Sequence, residues 1–136
     1  MKTVKNIMKF VLVGLVTQFV FADDPGWDPA GSCVLNNYPD YEFNASMTAK
    51  VFADDVESGA LGDLIAAFVD GELRGVGCAQ EVPSFLGNGF AFLTMVYSNE
   101  TGGETINFQY YDSAADEVLD ATNDGWDNDD DPDTPN

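Results

Sequence analysis

The chain has 136 residues, of which 24 are Asp or Glu, 5 are Lys or Arg and none is His, so its formal net charge is −19. Such a charge repels nucleic acid phosphates and anionic membrane surfaces, and we expect neither as a partner. Without histidine there is no His-based catalytic triad, and no phosphate-loop or dinucleotide-binding motif is present. We therefore expect a protein that is not an enzyme.

Residues 1–22 have the pattern of an export signal. Three lysines precede a mostly apolar stretch at residues 10–21, and Val20 and Ala22 supply the small residues of a cleavage site. The stretch is shorter than the roughly 20 residues that a membrane-spanning helix needs. We expect a secreted protein, extracellular or at the cell surface, with a domain at residues 23–122, an acidic, disordered tail at residues 123–136 and no membrane contact after signal cleavage.

The first part of the domain predicts an irregular segment followed by a strand. Residues 23–39 are rich in Asp, Pro, Gly and Asn, and we expect Trp27 to pack against the domain edge. From Phe43 the sequence alternates, with Met47, Ala49 and Val51 on one face, as in a half-buried strand. Residues 54–62 read as a loop.

The middle of the domain predicts a β-hairpin. Residues 64–69 and 73–78 are apolar runs of strand length, and Asp70-Gly71 between them suits a two-residue turn. Residues 90–98 form the most apolar strand, expected at the centre of a sheet, and residues 104–111 alternate again.

A last short strand is expected at residues 117–121, with one helical turn at residues 114–119 as the alternative. In total the sequence predicts an all-β fold, a small antiparallel β-sandwich, Ig-like or jelly-roll-like, with six or so strands.

Cys33 and Cys78 are the only cysteines, and an even count in an exported chain favours a disulfide over two buried thiols. Closing so long a loop stabilises a fold by about 4 kcal/mol in the chain-entropy model.

Arg74 lies in the second hairpin strand, and Lys50 is the only other basic residue after the export signal. We expect a structural role for Arg74, in which its guanidinium pairs with an acid and fixes the hairpin on the sheet.

Two groups of residues are candidates for ligand binding. Carboxylates recur at every second position in the tail, which favours calcium, although a solvated acidic tail explains the same pattern. Aromatic residues form the second candidate, a platform that stacks against sugar rings, and burial of the same side chains in the core is the alternative. The calcium candidates are Asp127, Asp129, Asp131 and Asp133, and the sugar candidates are Trp27, Tyr41 and Tyr111.

Residues 63–76, DLIAAFVDGELRGV, are followed by FLTMVYSN at residues 92–99 and by GETINF at residues 103–108. In this order they resemble a secreted β-sandwich module of bacterial surface proteins, of the marine and Bacteroidetes type, whose AAFV-type strand pairs with an RGV-type strand. The resemblance implies an extracellular β-sandwich without assigned catalytic residues.

Two sequons for N-linked glycosylation, at Asn44 and Asn99, would be glycosylated only in a eukaryotic cell.

These observations predict a secreted, non-catalytic binding module for a polysaccharide, or for attachment to a cell surface or matrix. One alternative is a self-assembling structural subunit of an extracellular fibre or layer, and another is a calcium-binding accessory domain. A binding module predicts a row of exposed coplanar aromatic rings, whereas self-association predicts an open, uncharged sheet edge or a chain terminus that completes a neighbour's sheet.

Overall fold

The computed structural model describes residues 3–4 and 25–122, which form nine β-strands and two short 3-10 helices. The strands are β1 (Thr3–Val4), β2 (Phe43–Ala49), β3 (Val51–Ala53), β4 (Val56–Ser58), β5 (Leu64–Val69), β6 (Glu72–Glu81), β7 (Phe90–Ser98), β8 (Asn107–Asp112) and β9 (Glu117–Thr122). The 3-10 helices are Tyr38–Asp40 and Ser84–Leu86.

Seven strands form one antiparallel sheet in the order β1-β9-β8-β5-β6-β7-β2, and β3 pairs with β4 in a separate small sheet. This confirms the predicted small antiparallel all-β fold, with two layers of unequal size. Thr3–Val4, which falls within the predicted export signal, pairs with the end of β9. The other residues of the predicted signal, 1–2 and 5–22, lie outside the described residues, as does the predicted acidic tail at residues 123–136.

Two local predictions need correction, and a third is confirmed. The predicted loop at residues 54–62 contains β4, whereas the predicted last strand is present as β9 and the alternative helical turn is not formed. The apolar strand β7 is not central, because it lies beside the outermost strand β2, and β5 occupies the middle of the sheet. Strand order depends on which distant segments pair, and alternation within one strand carries no information about it.

The predicted hairpin is the β5–β6 pair. Asp70 and Gly71 have φ values of 49° and 79°, the left-handed conformations that a tight two-residue turn requires, and Val69 pairs with Glu72 across them. The register shifts beyond Ala67, so that β6 carries one extra residue, Arg74, at a bulge. The bulge places Arg74 out of the regular alternation of β6.

Alternation along β5 divides the large sheet into two faces. The front face, which bears Ile65 and Ala67, packs against Val51 of the small β3–β4 sheet. Its buried cluster consists of Met47, Ala49, Val51, Ile65, Ala67, Ala79, Phe92, Phe108, Tyr110 and Leu119. The predicted shared face is therefore confirmed for Met47 and Ala49 on β2, whereas Val51 enters the same cluster from β3 of the small sheet.

The back face, which bears Leu64 and Ala66, is covered by the leading segment, residues 25–42. Its buried cluster consists of Trp27, Leu64, Ala66, Val76 and Tyr111. The Trp27 and Phe68 rings form a T-shaped pair, with the ring centroids 6.0 Å apart. An irregular segment thus takes the place of a second full sheet on this side of the fold.

The predicted disulfide is confirmed. Cys33 in the leading segment is bonded to Cys78 in β6, with their Cα atoms 5.4 Å apart. The turn before Cys33 is held by Asp28, whose two carboxylate oxygens accept hydrogen bonds from the backbone N–H groups of Ser32 and Cys33, each at 2.9 Å. The covalent bridge and this turn together fix the leading segment on the back face.

Candidate functional site

The four aspartates predicted to bind calcium, Asp127, Asp129, Asp131 and Asp133, lie outside the described residues. Within the described part of the chain, the carboxylate of Asp28 lies close to the sulfur atoms of Cys33 and Cys78. Those sulfurs are bonded to each other, so they offer no thiolate to a metal ion, and both Asp28 oxygens already accept backbone hydrogen bonds. This group stabilises a turn, and we do not propose it as a metal site.

The predicted sugar-stacking platform is not formed. Trp27 and Tyr111 are only 8% and 5% exposed, because both pack into the buried cluster of the back face. The Tyr111 hydroxyl donates a hydrogen bond to Asp116 at 3.0 Å. Tyr41 is half-buried and lies apart from them, near Tyr97, with ring centroids 6.4 Å apart. The three side chains therefore share no exposed surface.

Arg74 has acidic partners, as its expected structural role requires. Its Nε lies 3.0 Å from a carboxylate oxygen of Glu72 and its Nη2 lies 3.4 Å from Glu104. Nη1 donates to the carbonyl oxygen of Tyr97 at 3.3 Å, and the guanidinium lies 5.0 Å from the ring centroid of Tyr41. The bulged residue of β6 thus contacts β7 and the loop that follows β7.

The charges around Arg74 are paired within the group. The Tyr41 hydroxyl donates a hydrogen bond to Glu72, and this bond, with the nearby Arg74 charge, holds the pKa of Glu72 below its usual value. The same hydrogen bond raises the pKa of Tyr41. Because the guanidinium already has two carboxylate partners, the group holds the hairpin in place and has no spare positive charge for an anionic ligand.

A buried carboxylate that the sequence analysis did not single out joins the loop before β5 to the end of β8. Asp63 is 2% exposed. Its Oδ1 accepts hydrogen bonds from the backbone N–H and the hydroxyl of Ser113, at 2.9 and 2.8 Å. Its Oδ2 accepts from the Ala60 N–H at 2.8 Å and from the Tyr110 hydroxyl. With four donors aimed at it, this carboxylate is structural.

Among the described strands, β2 is the free edge of the sheet. Its sequence, FNASMTA, contains no charged residue and no proline, and it pairs without interruption with β7 from Phe43 opposite Ser98 to Ala49 opposite Phe92. Most of its side chains are exposed, and only Met47 and Ala49 are buried. No strand in the described part of the chain pairs with the outer side of β2.

Natural sheets protect such edges with charges, prolines, bulges or a covering segment. The opposite edge of the sheet follows this rule, because β9 carries Glu117 and Asp120. Within residues 25–122, β2 has none of these protections, although the chain as a whole is rich in acidic residues. In this part of the chain its outer backbone groups therefore match the open, uncharged edge that self-association predicts.

A shallow apolar groove of about 190 Å³ lies beside the beginning of β2. Its apolar lining comes from Phe43, Ala45, Val69, Val96 and Ile106. Phe43 and Ile106 are 41% and 39% exposed. The groove continues the front face beyond the part that packs against Val51, so a strand added to β2 would find apolar surface next to it.

The sequence did carry a signal for this edge, namely seven consecutive uncharged residues in an acidic chain. It contained no comparable signal for Asp63, since aspartate next to glycine is common in turns and its partners Tyr110 and Ser113 are distant in sequence.

Comparisons with protein-family models, with curated proteins and with solved structures found no match to this chain. The resemblance to a secreted bacterial module therefore stays a prediction from the residues quoted for it. In the described part of the chain, no helix has the length and apolar character needed to cross a membrane.

Proposed function

We propose that this chain is a secreted, non-catalytic structural module that associates with another protein strand through the free edge of β2. The observation that carries the proposal is the seven-residue, uncharged and unprotected outer strand Phe43–Ala49. Addition of a strand to such an edge supplies main-chain hydrogen bonds, and the side chains on either face supply specificity. The Cys33–Cys78 disulfide supports secretion, because such bonds persist in oxidising compartments.

Charge explains why association would use this edge in particular. Two chains that each carry a net charge of −19 repel one another over most of their surfaces. At physiological salt this repulsion is screened beyond about 8 Å, so contact is governed by the charges nearest the interface. The seven residues of β2 carry no charge, and the acidic residues Glu42, Glu100 and Glu104 lie at its first end, so most of the strand can be approached without opposing carboxylates from β2 itself.

The described residues support self-association at β2 better than they support sugar binding. Two of the three predicted stacking residues, Trp27 and Tyr111, are buried, and the hydroxyl of the third, Tyr41, is bonded to Glu72. Among the tyrosines of the described residues, Tyr38 is the most exposed, at 50%, and a single ring does not make a platform. Calcium binding by the acidic tail remains a separate prediction from the sequence.

The proposal is tested by measuring association of the purified, exported chain with sedimentation velocity over a concentration series. We expect reversible association that Ser46→Lys weakens at least about tenfold, because this exposed residue lies in the middle of β2 and an inserted lysine blocks edge pairing. The matched control is Gln80→Lys, which adds the same charge at an exposed position of the interior strand β6 and should leave association unchanged.

Two results would contradict the proposal. One is a chain that stays monomeric at every concentration up to about the millimolar range of weak complexes. The other is association that Ser46→Lys and Gln80→Lys weaken to the same extent. Retention of the Ser46→Lys variant on an insoluble polysaccharide, with affinity equal to that of the unmodified chain, would favour the sugar-binding function instead.

A further inference from the structure

We infer that the strand added to β2 is β2 of a second copy, paired antiparallel about a two-fold axis with Ser46 opposite Ser46 of the partner. This inference rests on the proposed function and specifies its partner and register. A two-fold interface uses the same surface on both copies, so it requires a strand that complements itself. β2 meets that requirement in its length, its two faces and its flanking charges.

The register follows from strand length and is supported independently by charge. Only when Ser46 faces Ser46 do all seven residues of β2 find a partner on the second copy. In that same register Glu42, just before β2, lies opposite Lys50, just after it. Each dimer thus gains two pairs of opposite charges, one at each end of the shared ladder. Registers centred on Glu42 or Lys50 would oppose like charges, which destabilises cross-strand pairing.

The two faces of β2 are also matched. Residues directly opposite one another in an antiparallel pair point to the same side of the sheet. On the back face, Asn44 meets Thr48 of the second copy and Ser46 meets Ser46, all polar. On the front face, Phe43 meets Ala49 and Ala45 meets Met47, all apolar. The exposed Phe43 and Ala45 line the apolar groove and would be covered by this pairing.

The two flanking residues are held at the ends of β2. The backbone N–H of Glu42 donates a hydrogen bond to Asn99 Oδ1 at 2.9 Å, and Glu42 is exposed. Lys50 Nζ lies 3.2 Å from the Glu57 carboxylate and 3.4 Å from the carbonyl oxygen of Asn88. A second carboxylate beside Lys50 would repeat the arrangement around Arg74, whose guanidinium lies between two glutamates.

The experiment compares two cysteine variants of the full exported chain. Directly opposite residues in an antiparallel pair have Cα atoms about 4.5–5.5 Å apart, within the range that a disulfide spans. Ser46→Cys should therefore form an inter-chain disulfide in a glutathione redox buffer. Thr48→Cys is the matched control, because Thr48 is also exposed on the back face. In this register Thr48 of one copy faces Asn44 of the other, so the two introduced cysteines lie four residues, or about 13 Å, apart along the strand.

We expect Ser46→Cys to accumulate covalent dimer at least about tenfold faster than Thr48→Cys, measured on non-reducing gels. Peptide mass spectrometry should identify a disulfide that joins the two introduced sulfur atoms. Equal rates for the two variants, or faster cross-linking of Thr48→Cys, would overturn the register. If that happens while Ser46→Lys still abolishes association, edge pairing stands and only the partner or register is wrong. If Ser46→Lys has no effect either, the proposed function fails as well.

Discussion

Replacing Asp63 with asparagine tests whether the buried carboxylate is required for stability. Each of its two oxygens accepts one hydrogen bond from a backbone N–H, Ala60 on one side and Ser113 on the other, and one from a hydroxyl group. Asparagine presents an NH₂ group at one of the two positions. A hydroxyl group can rotate and become an acceptor, but a backbone N–H cannot. Whichever way the amide turns, one partly buried backbone donor therefore faces another donor.

The magnitude follows from this count. Leaving one buried donor without an acceptor costs about 1–3 kcal/mol, and the remaining bonds lose the assistance of the negative charge. We expect Asp63→Asn to lower the free energy of unfolding by about 2 kcal/mol. For a domain of this size, that corresponds to a fall in melting temperature of about 8–16 °C.

The measurement is urea unfolding at pH 7 followed by tryptophan fluorescence, together with calorimetric melting. Glu81→Gln is the control, since it removes one carboxylate from an exposed position at the end of β6. Tyr110→Phe removes only one of the four donors to Asp63 and should cost less than Asp63→Asn. An unfolding free energy for Asp63→Asn within about 0.5 kcal/mol of the Glu81→Gln value would refute the reasoning, because that is the ordinary scatter of surface substitutions.

Three further predictions concern Arg74, Tyr110 and the acidic tail. Arg74→Lys keeps the charge but loses the planar group that contacts Glu72, Glu104 and the Tyr97 carbonyl, so the melting temperature should fall by about 4–8 °C, and an unchanged value would argue against a structural role. Burial and the hydrogen bond to Asp63 raise the pKa of Tyr110. The raised pKa stabilises the folded state fully below about pH 10, the pKa at which tyrosine ionises in the unfolded chain. This stabilisation is lost as the pH rises from there through the raised pKa of the folded state. Melting temperatures between about pH 10 and 11 should therefore decline less steeply for Tyr110→Phe than for the unmodified chain, and parallel declines would contradict this. Calcium at about 0.1–1 mM should stabilise the full chain more than magnesium at equal ionic strength, and truncation after Gly125 should abolish the difference; an effect that survives truncation would show that the tail is not the site.

The sequence predicted those parts of the fold that depend on neighbouring residues. The β5–β6 hairpin follows from two apolar runs around Asp70-Gly71, and the buried face of β2 follows from alternation, so both were predicted correctly. The disulfide was predicted from export and an even cysteine count, and it is formed. These inferences need only a short stretch of chain, or a count.

What the sequence did not predict depends on contacts between distant segments. Trp27 and Tyr111 were candidates for an exposed platform, but the leading segment covers the back face and buries both. Alternation correctly places Tyr111 on the side opposite Tyr110, yet it does not say which sides will be covered by an irregular segment. The position of β2 at the edge has the same origin, because it is set by pairing with β7 alone.

The Cys33–Cys78 bridge also makes the final structure dependent on where the chain folds. Trp27 belongs to a segment with no strand pairing of its own, and the bond to β6 fastens that segment over Leu64 and Ala66. In a reducing compartment the bond cannot persist, and the segment is then held by non-covalent contacts alone, among them the packing of Trp27, the turn around Asp28 and the hydrogen bond from Tyr41 to Glu72. For the secreted module proposed above, the chain before export would thus lack the covalent link between its leading segment and β6. Oxidation after export would then fasten that segment over the back face.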